Sequence, residues 1–170
     1  MHVLFVCTGN ICRSPTAERL SAMLASRSDV GEYRFSSAGV RAVRGHPIYR
    51  DAAIVLERLG GSAKDFAARQ ITPKIADDCD LIVTMTRNHR DAVLEIAPRR
   101  LRQTFTLAEI ALLVTEFGVR SVAELADFRP QIDLASLADI EDPIGQDPGV
   151  FSKVGCEIFG LIPPILMLSR

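Results

Sequence analysis

The hydrophobic pattern opens with four consecutive apolar residues, Val3, Leu4, Phe5 and Val6, ending at Cys7. A short continuous apolar run of this kind reads as a buried strand. Behind it, Pro15 followed by Ala17, Glu18, Arg19 and Leu20 reads as the first turn of a helix, where proline's missing N–H costs nothing. The spacing predicts a helix over residues 15–26 that turns Ala17, Leu20, Met23 and Leu24 to a sheet and is closed by Ser28, Asp29 and Gly31. A second strand is predicted over residues 33–38, ending in a Ser37-Ala38-Gly39 turn. Pro47 opens the next helix, with Ala52, Ala53, Val55, Leu56 and Leu59 apolar and Gly60-Gly61 as its stop. Thr72 and Pro73 start a short helix, residues 80–85 form a third strand, and Ala92, Val93, Leu94 and Ile96 mark a helix that ends before Pro98. A fourth strand is predicted over residues 101–105.

Strands alternating with helices at this spacing argue for a parallel sheet with right-handed crossovers. Residues 106–137 carry helical patterning, Leu107, Ile110, Ala111, Val114 and Phe117, then Val122, Leu125 and Ala126, whose amphipathic spacing implies packing on the parent domain. A last helix over residues 149–161 buries Phe151, Val154, Ile158 and Phe159 before Pro163-Pro164, and residues 165–168 pack onto the core.

Composition changes this picture little. A chain of 170 residues, 48% hydrophobic and 24% charged, fits one domain over residues 1–170. A net charge of -1 and a pI near 6.3 give no reason to expect a nucleic acid or membrane partner. The apolar start is too short for a signal peptide, and no apolar stretch is expected to reach the roughly 18 residues of a span. Four cysteines without framework or metal-ligand spacing fit a reducing, cytoplasmic compartment.

The chemistry lies between the first strand and the first helix, in Cys7, Thr8, Gly9, Asn10, Ile11, Cys12, Arg13 and Ser14. A loop in that position is a phosphate cradle, because its backbone amides converge on an oxyanion and the following helix dipole adds to their pull. Amides and a guanidinium around a thiol favour its thiolate, the nucleophilic form. Arg13 can hold two equatorial phosphoryl oxygens at once, and Ser14 can donate a hydrogen bond to the sulfur. Arg41 to His46 carries several basic residues and is a candidate wall of the entrance. The pattern leaves His89, at a helix start near the same face, turned to water.

Cysteine, five residues, then arginine and serine, with Gly9 and Asn10 inside, resembles the signature loop of the low-molecular-weight protein tyrosine phosphatases. Ser36-Ser37-Ala38-Gly39, Ala68-Arg69-Gln70 and Glu141-Asp142-Pro143 resemble that family's second-strand segment, ARQ-like segment and acid loop. The resemblance implies a three-layer α/β/α fold with a doubly wound, four-stranded parallel sheet, in which residues 106–137 are a helical insertion before the acid loop. It implies Cys7 as nucleophile, Arg13 and the loop from Thr8 to Ser14 as phosphate binders, Asp142 as general acid, and Asn10, Ser14 and Ser37 as loop support, with no metal or cofactor. Asp147-Pro148 is a competing pair that chemistry alone does not separate from Asp142-Pro143. The implied partners are a phosphorylated protein, phosphotyrosine first, with inorganic phosphate or other oxyanions as product or inhibitors. The resemblance also suggests a reversible disulfide between Cys7 and Cys12.

Two departures concern substrate and support. Phe66 stands where many relatives carry a histidine before the ARQ segment, and Ile144-Gly145 where aromatic residues often flank the phosphotyrosine ring. Ile11 points the other way, since relatives that act on phosphoarginine carry threonine there. Arginine phosphatase, arsenate reductase and a non-catalytic phosphoprotein-binding module are the alternatives. Arsenate reduction needs further thiols, and beyond Cys12 only Cys79 and Cys156, far apart in sequence, remain.

Overall fold

Successive side chains of a strand point to opposite faces, and in β1 (His2–Cys7) both sets are apolar and buried. Val3 and Phe5 face one core and Leu4 and Val6 another, so the strand needs cover on both sides. A computed structural model describes residues 1–28 and 31–169 and supplies that cover. β1 pairs with β2 (Arg34–Gly39) on one edge and β3 (Leu81–Thr84) on the other, and β3 pairs with β4 (Thr104–Thr106). All pairings are parallel, in the order β2-β1-β3-β4, as the alternation predicts. The larger core receives Leu20 of α1 (Arg13–Ser26), Leu56 of α2 (Arg50–Arg58), Ile110 of α5 (Leu107–Phe117) and Ile158 of α7 (Pro148–Leu161). The smaller receives Ala76 of α3 (Pro73–Asp77) and Val93 of α4 (Arg87–Ile96). The result is the three-layer α/β fold expected.

The chain leaves β1 for β2 on one side and later returns to β3 on the other, so connections diverge at the carboxyl end of β1. Such a switch point leaves a crevice in an open parallel sheet. Gly39 keeps the crevice tight, since a Cβ there would stand 2.4 Å from the carbonyl oxygen of Thr8, a backbone atom with little room to give.

Several boundaries differ from expectation. α1 begins at Arg13 rather than Pro15, which drives the phosphate loop directly into the helix end. α2 begins at Arg50, three residues beyond Pro47. The fourth strand is only Thr104–Thr106, because Pro98–Gln103 winds as a 3-10 helix with Leu101 exposed. Of the residues expected to close α1, Asp29 lies outside the described residues. The helical stretch after β4 packs as expected, with Leu107, Leu113 and Val114 of α5 and Leu125 of α6 (Val122–Phe128) in the larger core. Contrary to expectation, one helical run, Pro148–Met167, is long and apolar enough to cross a membrane by length and composition. Its Phe151, Val154, Ile158, Ile162 and Ile165 are nevertheless buried in the larger core, and Pro163 starts a 3-10 turn. It is a core element.

Candidate active site

The loop after β1 is held by its carbonyls. Those of Cys7, Thr8, Gly9 and Ile11 accept from the N–H groups of Val40, Arg41, Val43 and Tyr49 at 2.9, 3.0, 3.0 and 2.7 Å. Among the described residues, the N–H groups of Gly9, Asn10, Ile11 and Cys12 donate to no protein acceptor. Backbone donors are seldom left so at a buried turn, and a set facing inward ahead of a helix is an anion cradle. α1 adds to it, for its first turn has no side-chain cap.

Asn10 sets the loop's shape. It is fully buried with φ of 55°, a left-handed conformation that asparagine tolerates better than most residues. Its Nδ2 donates to Ser14 Oγ at 2.9 Å and to Ser37 Oγ at 2.8 Å, and its Oδ1 accepts from the N–H of Arg69 at 2.9 Å. Ser37 Oγ in turn donates a hydrogen bond to Glu18 Oε2 at 2.5 Å. Burial pushes the Glu18 carboxyl above its usual range, against the opposing pull of Ser37 and Arg19. Phe66 contributes no polar group here; the Arg19 guanidinium stacks over its ring instead, 5.7 Å from the centroid.

Cys7 lies at the base of this cradle, 2% exposed, with Sγ 3.0 Å from Ser14 Oγ. Arg13 is 4% exposed, donating from Nη1 to the carbonyl of Ile140 at 3.0 Å and from Nη2 to Asp142 Oδ2 at 2.5 Å. Its Nε is buried and, among the described residues, has no acceptor. Asp142 hangs over the mouth, its other oxygen accepting from the N–H of Ile144 at 3.2 Å and its carbonyl from Gln146. The competing Asp147 is the N-cap residue of α7 and takes no part in lining the pocket. Geometry thus separates two pairs that chemistry alone does not.

Cys7, Thr8, Gly9, Ile11, Cys12 and Arg13 line a cavity of about 220 Å³ walled by Arg41, Val43, Asp142 and Ile144. Burial, then the neighbouring Cys7, pushes the Cys12 thiol up to about 12. His89 corrects the sequence reading. It is buried, 6% exposed, with Nε2 2.8 Å from Thr8 Oγ1, while its backbone N–H donates to the capping Thr86 hydroxyl. Burial, then the charge of Arg13, lowers it to about 4. Sequence reading also missed Glu18, a charged helix residue with no local sign of burial.

A buried thiol under a ring of free amides, with a guanidinium and a carboxylate at the mouth, defines the class of cysteine-centred phosphate-loop proteins on a doubly wound sheet. A model of the low molecular weight phosphotyrosine protein phosphatase family matches residues 2–114. The chain belongs to that family. It is 41% identical over 96 residues to the probable low molecular weight protein-tyrosine-phosphatase AmsI of Erwinia amylovora, a match covering 56% of this chain and 63% of that protein. The chain thus spans less than two thirds of that curated relative's length. Among solved structures, a low molecular weight protein tyrosine phosphatase from T. tengcongensis superposes with TM-score 0.78 at 29% identity, over 97% of both chains. The YwlE arginine phosphatase from Geobacillus stearothermophilus superposes with TM-score 0.75 at 27% identity, over 97% of this chain and 90% of that one. The family match stops short of Asp142, so geometry carries that residue's placement.

Proposed function

We propose that the chain hydrolyses phosphomonoesters, with phosphotyrosine on proteins as substrate, through a cysteinyl-phosphate intermediate. The observation that carries this reading is that Cys7, the loop residues Gly9, Ile11 and Cys12 with their free amides, Arg13 and Asp142 line one cavity. The Cys7 thiolate attacks phosphorus, the bond to the leaving oxygen breaks, and the Asp142 carboxyl gives that oxygen its proton. The loop amides and Arg13 hold the equatorial oxygens, Nε being free to donate at once and Nη2 on release of Asp142. Water then attacks phosphorus, Asp142 takes its proton, and the S–P bond breaks to return thiolate, which Ser14 stabilises as leaving group. Inorganic phosphate departs. No step calls on a metal or cofactor.

Ile11, Val43 and Ile144 give the cavity an aliphatic wall that suits an aromatic ring, although without the stacking an aromatic wall would add. This wall supports phosphotyrosine over phosphoarginine. Arsenate reduction needs a relay of thiols. Here Cys79 lies in the smaller core, bonding the Ile75 carbonyl, and Cys156 is exposed on α7. A pure binding module has no use for a carboxylate such as Asp142 in the cavity that holds the thiol.

The test is hydrolysis of phosphotyrosine and phosphoarginine peptides side by side, with reductant, by the native chain and Cys7→Ser. Phosphotyrosine turnover that vanishes in the variant is the expected result. A preference for phosphoarginine would overturn the specificity, and phosphate binding without turnover would leave the binding module.

A further inference from the structure

A second depression, about 510 Å³, opens from the catalytic cavity and shares Thr8, Arg13, Arg41 and Asp142 with it. We propose that this groove binds the polypeptide flanking the phosphorylated side chain, and that it favours a substrate segment with an apolar residue followed by a basic one. The proposal rests on the phosphatase reading and names the substrate class of that same site.

Continuity is the first argument. A peptide whose phosphoryl group sits on the loop must leave past the residues common to both depressions, and a free aryl phosphate has no atoms to place in the second. The lining is the next. Val40, Ala92 and Ile96 offer apolar surface, and Asn88 and Glu95 line it as well. Glu95 is exposed and, among the described residues, makes no ion pair or hydrogen bond. Asp91 on the same helix is already held by Arg90 at 3.0 Å. Glu95 is therefore the carboxylate left for a ligand's cation.

Helix geometry fixes the spacing. His89 touches Thr8 of the phosphate loop, and Ala92 and Glu95 follow at three-residue steps of α4, each turned about 60° further toward solvent, and all three line the groove. Six residues at 1.5 Å each put Glu95 about 9 Å beyond His89 along the axis. An extended peptide advances about 3.3 Å per residue. The cation that meets Glu95 belongs to roughly the third residue from the phosphorylated one, with an apolar side chain on Ala92 between them.

The experiment compares kcat/KM for phosphotyrosine peptides bearing Lys or Glu at that third position, on either side, with kcat/KM for an aryl phosphate. Native chain, Glu95→Lys and Ala92→Trp are used, with melting curves to verify folding. On one side Lys is expected to beat Glu by about threefold, an exposed ion pair's effect, and Glu95→Lys to reverse the order. Ala92→Trp should lower the ratio of peptide to aryl phosphate. An unchanged Lys-to-Glu ratio in Glu95→Lys on both sides would overturn the groove, and aryl phosphate turnover in the same assay would show the phosphatase reading intact. Failure of the native chain on peptide and aryl phosphate alike would overturn both.

Discussion

Arg13 donates to Asp142 at 2.5 Å although 129 residues separate them, and the pair closes the mouth of the phosphate loop. Asp142 is about half exposed while Arg13 is buried, so the carboxylate is the movable partner. In the unliganded protein it satisfies part of a buried guanidinium. A phosphoryl group arriving on the loop brings oxygens that replace it, which frees the carboxylate to face the leaving group.

Asp142→Ala is expected to lower kcat by roughly 10²- to 10⁴-fold on phosphotyrosine, whose leaving oxygen needs a proton. The loss should shrink on an activated aryl phosphate that leaves without one. Asp147→Ala, at the N-cap of α7, should leave kcat near the native value. Steady-state rates on both substrates check this, and an equal loss in the two variants would remove Asp142 as the acid.

Asn10→Gly is expected to lower both stability and rate while leaving the backbone free to keep φ of 55°. The substitution deletes three hydrogen bonds and leaves the Arg69 N–H without its acceptor, at about 1–3 kcal/mol, while Ser14 and Ser37 keep their bonds to Cys7 and Glu18. Loss of the loop's setting costs roughly 10²-fold in kcat if the cradle shifts by about 1 Å. Urea unfolding and kcat measured together check it. A stable variant with native kcat would show that backbone bonds alone hold the cradle.

How much of this was legible in sequence depends on the range of the interaction. The strand before Cys7, the helix behind it and the loop between them are local patterns, and residues adjacent in sequence stay adjacent in the site. Residues 101–105 misled because Leu101 matches a strand period while the preceding Pro98 starts a 3-10 turn that leaves it in water. His89 misleads and Glu18 is passed over for a different reason. Their burial comes from Thr8 and Ser37, 81 and 19 residues away, and a polar residue on a helix reads as solvent-facing until its partner is placed. Asp142 and Asp147 are inseparable on chemistry alone; the family pattern favours Asp142, and it is Asp142 that meets Arg13 in the fold.

Cys12 is expected to protect Cys7 from irreversible oxidation. Both thiols line the cavity, and Cys12, pushed up to about 12, stays protonated and is not the sulfur that peroxide attacks first. Peroxide converts Cys7 to a sulfenic acid, and the Cys12 thiol then condenses with it, forming the S–S bond and releasing water. Native activity should return with reductant, whereas Cys12→Ser should lose activity for good. Equal trapping of Cys7 sulfenic acid in the two chains would count against the bridge.

His89 should make stability acid-sensitive in a defined window. Its usual value of 6.5 is lowered to about 4 in the folded protein by burial, then by Arg13. Between those values the unfolded chain binds a proton at this ring and the folded chain does not, so acid favours unfolding. The contribution is complete above the unfolded value and lost as pH falls through the folded one. His89→Gln keeps a hydrogen-bonding group opposite Thr8 that does not titrate. Urea unfolding of the two chains across that window should show native stability declining further, by on the order of 3 kcal/mol. Parallel curves would show that the acid sensitivity lies elsewhere and that folding does not hold the ring near Thr8 neutral.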